Sequence, residues 1–127
     1  MKSLIASHLH TVYLKSGEVF VSRKPVLVST VLGSCIAVTM FSPSRGFGAI
    51  CHAMLPGNIR QDNDLRYVDA ALHYLYDKVI GNGAKNDLVV KLFGGAQVLG
   101  VGEQAAKKPS VGDQNVAQAV EVLASLA

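Results

Sequence analysis

The chain has 127 residues, of which 50% are hydrophobic, 17% charged and 6% aromatic, and twelve Lys and Arg against nine Asp and Glu give a formal net charge of +3. This length and composition predict one domain with a core of its own, which excludes a disordered chain, a collagen and a coiled coil. The mean hydropathy is +0.31, but no apolar run approaches the roughly 20 residues that cross a bilayer. We therefore expect a soluble, cytoplasmic protein that does not insert into membranes.

The basic residues do not form a nucleic-acid-binding pattern. They are scattered along the chain, and only Arg23-Lys24 and Lys107-Lys108 are adjacent. Proteins that bind nucleic acids usually gather their cations into a stripe or patch. We expect solvated surface charge and no nucleic-acid partner.

The first part of the chain predicts short strands. Residues 11–14 and 18–22 are predicted as a pair of strands with a turn at Ser16-Gly17. The apolar, β-branched segments 26–31 (VLVSTV) and 36–41 (IAVTMF) predict strands that are buried on both faces.

A turn and a third buried strand follow. Residues 42–46 (SPSRG) have the composition of a turn, and residues 47–55 return as an apolar strand that ends before Pro56. Residues 56–64 are polar and predict an exposed loop.

Two helices and one more strand complete the prediction. The first helix has Asn63 or Asp64 as its cap and ends near Gly81, and its apolar residues on one face are Val68, Ala71, Leu72, Leu75 and Val79. A strand is predicted at 88–93, a long loop at 100–112 and a helix at 114–126, with Asp113 as its cap. The buried face of that helix is predicted to hold Val116, Ala119, Val120 and Leu123. The fold class is α+β, with layered mixed β-sheets flanked by two main helices, in a single domain over 1–127.

Glycine and histidine patterns do not predict a cofactor or a metal. The glycines at 95 and 100 have P-loop spacing, but Val101 stands where the phosphate-binding lysine belongs. Gly100 and Gly102 fit a dinucleotide pattern, but Pro109 interrupts the helix that this pattern requires. A metal site would need Cys35 and His52 to meet, and no third ligand is evident.

The two cysteines differ in their surroundings. Cys35 ends the segment 32–35 (LGSC), where a glycine permits a sharp turn whose backbone N–H groups belong to no sheet ladder. His52 lies in the next strand, so an antiparallel pairing would bring it beside Cys35, with Cys51 facing the other way. Cys35 is then a candidate nucleophile and Cys51 a packing residue, although isolated Cys and His side chains are more often both packing residues.

Four segments stand out in chain order, namely 31–38 (VLGSCIAV), 48–56 (GAICHAMLP), 67–72 (YVDAAL) and 91–96 (KLFGGA). In their order and spacing they resemble the CheD family of chemoreceptor glutamine deamidases, and residues 111–116 (VGDQNV) resemble a further family segment. The resemblance implies a cysteine-hydrolase-like fold. Family members usually continue with further strands after the last helix, whereas this sequence stops at residue 127. If those strands complete a sheet, we expect their absence to leave a sheet edge exposed.

The resemblance also implies the site residues. The family's nucleophile corresponds to Cys35 and its histidine to His52, while the family's threonine corresponds to Ser29 or the adjacent Thr30. Only one of these two hydroxyls can face the site, because neighbours alternate along a strand.

The function that the resemblance implies is hydrolysis of specific glutamine side chains on the cytoplasmic helices of chemoreceptors, through a cysteine thioester. The alternative that it implies is a regulatory module that binds the chemotaxis phosphatase CheC with little turnover. A thiol hydrolase of small free amides is a third reading, for which the sequence shows no enclosed aromatic pocket.

Overall fold

The computed structural model describes residues 10–57, 63–84, 86–96 and 109–126. Six strands and two helices occur in these ranges. They are β1 (His10–Tyr13), β2 (Val19–Ser22), β3 (Val26–Ser29), β4 (Ile36–Ser42), β5 (Phe47–Ala53), α1 (Val68–Gly81), β6 (Val89–Gly94) and α2 (Val111–Leu126).

The strands form two sheets. One is a four-stranded antiparallel sheet in the order β2-β5-β4-β6, and the other is a parallel pair of β1 and β3. Mixed sheets with two helices confirm the α+β class. None of the described helices is long and apolar enough to cross a membrane.

The hairpin of β4 and β5 forms the centre of the larger sheet. Its turn contains Gly46 with a positive φ of 59°, a conformation that glycine adopts without strain. The register pairs Ala37 with His52 and Val38 with Cys51. Because side chains alternate, Val38 and Cys51 face the core while Ala37 and His52 share the opposite face.

One face of the larger sheet is covered by the helices. The five apolar residues predicted for the buried face of α1 are all 0% exposed, which confirms that prediction. The predicted side-chain cap is wrong, because Tyr67 precedes the helix without a capping hydrogen bond. The Asp64 carboxylate instead accepts hydrogen bonds from the backbone and guanidinium groups of Arg66.

The pairing predicted for the first two strands is wrong. β1 pairs with β3 and β2 with β5, so the two strands lie in different sheets. The turn between them closes with a Glu18 N–H bond to the Lys15 carbonyl, and Gly17 N–H then donates to the His52 carbonyl. The turn is therefore attached to β5, which is why β2 joins that strand rather than returning along β1.

The prediction that the segment 26–31 is buried on both faces is also wrong. Leu27 is 45% exposed and Val31 74% exposed. β3 pairs only with β1 in its own sheet, and its outward side is open to solvent. The segment 36–41 is the more deeply buried of the two, with Ile36 and Val38 at 0% exposure.

α2 begins three residues earlier than predicted. Ser110 Oγ accepts from the Asp113 N–H at 3.0 Å, and the Asp113 carboxylate accepts from the Ser110 N–H at 3.2 Å. This reciprocal capping makes Ser110 the cap rather than Asp113. The buried face is rotated as well, because Val120 is 56% exposed while Asn115 is 0% exposed.

Candidate active site

Cys51 and His52 lie next to each other on β5 and face opposite sides of the sheet. Cys51 is 0% exposed within the apolar core. Burial raises the pKa of its thiol to about 12, against a smaller opposing effect of a backbone hydrogen bond with Val38. A thiolate does not form there near neutral pH, so Cys51 has the properties of a packing residue.

The imidazole of His52 is fixed by a chain of two hydrogen bonds. Thr30 Oγ1 lies 2.8 Å from His52 Nδ1 and donates to the Leu14 carbonyl at 2.6 Å. A hydroxyl has one proton, and a carbonyl can only accept. Thr30 must therefore accept the bond from His52, which places the ring proton on Nδ1 and leaves a lone pair on Nε2.

Burial lowers the pKa of His52, and a backbone hydrogen bond with Leu14 opposes this effect. The residue is 4% exposed, and no charged side chain among the described residues contributes to this shift. The ring is therefore neutral near pH 7, the state in which Nε2 accepts a proton.

The hydroxyl of Ser29, the second candidate from the sequence, does not contact the ring. Ser29 is exposed and pairs with Tyr13 in the β1 and β3 register, and its carbonyl accepts the Leu14 N–H at 2.9 Å. Thr30, the next residue, faces the larger sheet. Alternation along the chain thus separates the two candidates, and only Thr30 reaches His52.

A serine that the sequence reasoning did not single out lies near the other ring nitrogen. Ser16 Oγ is 3.5 Å from His52 Nε2. Ser16 belongs to the turn that is attached to β5 through Gly17. No local sequence signal predicts this proximity, because it depends on the pairing of β2 with β5.

Cys35 immediately precedes β4, and its free thiol is partly buried. Ala37, two residues later, is directly opposite His52. Residues two apart on an extended strand share a face, and diagonal neighbours across an antiparallel pair lie about 7–8 Å apart. Continuing β4 by one residue at this register would place Cys35 diagonally from His52 on the same side of the sheet.

Each carbonyl of the segment 33–35 is bound by a neighbouring element. The Gly33 carbonyl accepts from the Ala96 N–H at 2.9 Å, and the Cys35 carbonyl accepts from the Gly95 N–H at 2.9 Å. The Ser34 carbonyl accepts from Asn115 Nδ2 at 2.9 Å. Within the described part of the chain, the N–H groups of these three residues donate to no acceptor.

The close approach of β6 and α2 to this segment requires glycines. Gly94 and Gly95 have positive φ values of 94° and 76°. A side chain on Gly95 would collide with Val116, and one on Gly112 would collide with the Ala96 carbonyl. These contacts show that the segments 91–96 and 111–116 pack closely together beside the segment that carries Cys35.

A cavity of about 550 Å³ lies further along the same face of the sheet, and its lining includes Phe20, Phe41 and Ile50. Its lining does not include Cys35, His52 or Thr30. The side chains of Cys35, His52 and Thr30 therefore do not form part of the wall of this cavity.

Other sequence candidates contribute nothing to this arrangement. His10 and His73 are exposed, and the described residues contain no group of three or more Cys, His, Asp and Glu that could hold a metal ion. Residues 58–62 of the predicted polar loop and most of the predicted long loop, residues 100–108, lie outside the described residues, as does His8.

Comparison with known proteins gives a consistent family. The model of the family described as CheD chemotactic sensory transduction matches residues 54–127. Probable chemoreceptor glutamine deamidase CheD 2 of Geobacter sulfurreducens is 45% identical over 115 residues, which are 90% of this chain and 69% of that protein.

Two further relatives have similar names. Probable chemoreceptor glutamine deamidase CheD of Maridesulfovibrio salexigens is 42% identical over 92% of this chain and 74% of that protein. The protein of the same name from Pseudomonas savastanoi pv. phaseolicola is 38% identical over 83% of this chain and 61% of that protein. The chain belongs to the CheD family.

Proposed function

We propose that this chain is a cytoplasmic chemoreceptor glutamine deamidase, which converts specific glutamines on the cytoplasmic helices of chemoreceptors to glutamate. The names of its relatives support the substrate class. The observation that supports the chemistry most is the hydrogen-bonded chain from Leu14 through Thr30 to His52. It leaves a lone pair on Nε2 that can accept a proton, with Ser16 Oγ 3.5 Å away.

The first half of the reaction forms a thioester. His52 Nε2 takes the proton of the Cys35 thiol, and the sulfur attacks the carbon of the glutamine carboxamide. The C–N bond then breaks as the imidazolium returns its proton to the departing nitrogen, so ammonia leaves and Cys35 is acylated. Thr30 keeps the ring in the required tautomer throughout.

The second half hydrolyses the thioester. His52 Nε2 takes a proton from water, whose oxygen attacks the thioester carbon. The C–S bond breaks, the sulfur recovers a proton from the imidazolium, and the product is a glutamate side chain. Both halves pass through a tetrahedral intermediate whose oxygen carries negative charge.

The N–H groups of the segment 33–35 are suited to stabilise that oxygen. Their carbonyls are all bound on the side of β6 and α2, and the N–H groups have no acceptor among the described residues. Backbone donors that are already oriented lose little free energy through reorganisation when charge develops. We assign the oxyanion site to these donors.

A protein substrate suits the location of Cys35 and His52 better than a small free amide does. Neither residue lines the cavity on their face of the sheet, whereas small-molecule sites usually bury most of their ligand. A glutamine side chain presented by a helix needs only its carboxamide to reach the two residues.

Binding of the chemotaxis phosphatase CheC is a second proposal, which only the family resemblance supports. The test that separates it from the first is incubation of the purified protein with a receptor cytoplasmic fragment, followed by assays for ammonia and for glutamate in receptor peptides. Release of ammonia with matching glutamate formation supports the deamidase. No deamidation, together with an altered CheC phosphatase rate, would contradict it in favour of the regulatory module.

A further inference from the structure

The side chain of Asn115 is a buried polar group in the second turn of α2. It is 0% exposed. Its Nδ2 donates to the Ser34 carbonyl at 2.9 Å and to the Met54 carbonyl at 3.1 Å. One amide group thus joins two backbone segments that are distant from it in sequence.

The two carbonyls belong to the segments that carry the reacting side chains. Ser34 immediately precedes Cys35, and Met54 follows His52 by two residues. The two N–H bonds of one planar amide have a fixed angle between them, so they fix the two carbonyls relative to each other. The bridge therefore spans the gap between the start of β4 and the end of β5, where ladder pairing stops at Ile36 and Ala53.

We propose that Asn115 is a positioning residue, whose amide holds the turn of Cys35 at a fixed distance and orientation from His52. This inference rests on the proposed deamidase function. Asn115 does not touch the reacting atoms. It acts through the Ser34 and Met54 carbonyls.

The second polar atom of Asn115 argues against a role in stability alone. Its Oδ1 is buried and has no hydrogen-bond partner among the described residues. A buried acceptor without a partner is unfavourable. An apolar side chain of similar volume would avoid it, but would leave the Ser34 and Met54 carbonyls without this donor. The presence of an amide in the apolar face of α2 is explained by the two carbonyls, of Ser34 and Met54, that its N–H groups bind.

Asn115 is also the side-chain member of a set of three donors, which we call the carbonyl clamp. The clamp consists of the Gly95 N–H, the Ala96 N–H and Asn115 Nδ2, which bind the carbonyls of Cys35, Gly33 and Ser34 respectively. Two of its members are backbone N–H groups, which a change of side chain other than to proline leaves in place. Asn115 is therefore the member whose removal tests the clamp.

Two substitutions and one control separate positioning from stability. Asn115→Leu removes both donors at similar volume. Asn115→Asp keeps the shape, but its carboxyl donates one hydrogen bond when protonated and none when ionised. The control is Val122→Ala, which reduces packing at a 6% exposed position of the same helix, about 10 Å further along it.

The measurements are kcat and KM on a receptor cytoplasmic fragment between pH 5.5 and 8.5, the melting temperature, and the rate at which iodoacetamide alkylates Cys35. We expect Asn115→Leu to lower kcat by about tenfold to a hundredfold, the loss that a displacement of about 1 Å causes, with a smaller change in KM. Asn115→Asp should lose activity relative to wild type as the pH rises, because its carboxylate then repels both carbonyls. Val122→Ala should lower the melting temperature and leave kcat within about twofold of wild type.

The inference is overturned if both Asn115 variants fold and retain kcat within twofold of wild type at every pH. It is also overturned if Val122→Ala shows the same loss of kcat as the Asn115 variants when the melting temperatures have fallen equally. A third contrary result is that both Asn115 variants are unfolded under conditions in which Val122→Ala is folded. A wild-type protein without deamidase activity contradicts the proposed function instead. The inference is then decided by Cys35 alkylation, which would overturn it if the rate were the same in wild type and in the folded Asn115 variants.

Discussion

Thr30 and His52 are joined by a hydrogen bond of 2.8 Å whose direction is set by Leu14. The Thr30 proton is committed to the Leu14 carbonyl, so the imidazole must donate from Nδ1. One ring tautomer is thus determined by three residues: His52 on β5, Thr30 directly after β3 and Leu14 directly after β1. The site depends on how the parallel β1 and β3 pair is seated on the larger sheet.

Replacing Thr30 with valine should lower activity through His52. Thr30→Val keeps the shape but removes the hydroxyl that accepts the Nδ1 proton, a cost of about 1–3 kcal/mol, and the other tautomer becomes accessible. We expect kcat to fall by about tenfold to a hundredfold, and ¹⁵N NMR of the imidazole to show mixed tautomers.

Thr30→Ser should restore most of this activity, since it keeps the hydroxyl. Ser29→Ala is the matched control, because Ser29 is exposed on the other side of the chain and should retain wild-type kcat. If Ser29→Ala lost activity and Thr30→Val did not, the assignment of the third side chain would be reversed.

The pH dependence should follow the lowered pKa of His52. An unfolded histidine has a pKa of about 6.5, and burial lowers it in the folded protein. The unfolded chain therefore binds more protons in this range, so stability rises with pH and is lost as the pH falls from about 6.5 through the folded value. Activity should fall over the same acidic range, as the base becomes protonated.

Thermal unfolding of wild type and His52→Gln between pH 5 and 8 measures this linkage. The variant has no ionisable group at position 52, so its melting temperature should depend less on pH. Equal slopes for the two proteins would mean that His52 does not contribute to the acid loss of stability.

Alkylation should distinguish the two cysteines in the folded protein. Cys51 is 0% exposed and its thiol has a pKa of about 12, whereas Cys35 is partly exposed. Iodoacetamide at neutral pH should modify Cys35 in the native protein and Cys51 only after unfolding in denaturant. Peptide mass spectrometry measures both rates, and modification of Cys51 first would contradict the placement of the two thiols.

The glycines that support the Cys35 turn should tolerate no side chain. Gly95→Ala introduces a methyl group against Val116 at a φ of 76°, and we expect a loss of about 1–3 kcal/mol in the free energy of unfolding. Gly81→Ala is the control, because nothing lies within 4 Å of the added carbon and alanine should be neutral or stabilising by up to about 1 kcal/mol. Urea denaturation compares the two, and equal effects would rule out the close approach at Gly95.

The local spacing of apolar residues was sufficient to predict the elements that form the core. The apolar spacing of Val68, Leu72 and Val79 predicts the buried face of α1, and the alternation that separates Cys51 from His52 follows from strand geometry. The β4 and β5 hairpin was predictable because its strands are adjacent in sequence and joined by a short turn.

The features that local patterns did not predict depend on distant partners. The parallel pairing of β1 with β3 is not encoded in either strand alone, and it decides that Thr30 rather than Ser29 meets His52. The orientation of α2 was missed for a related reason. A polar residue such as Asn115 is expected to face solvent unless the carbonyls that it binds, at Ser34 and Met54, are known.

The role of Cys35 is tested most directly by comparing Cys35→Ala with Cys51→Ala on one receptor cytoplasmic fragment. Mass spectrometry of the receptor peptides measures conversion of glutamine to glutamate, and circular dichroism confirms that each variant is folded. We predict that Cys35→Ala abolishes conversion while Cys51→Ala, despite reduced stability, retains it. Conversion that persists in Cys35→Ala would contradict the assignment of Cys35 as the nucleophile.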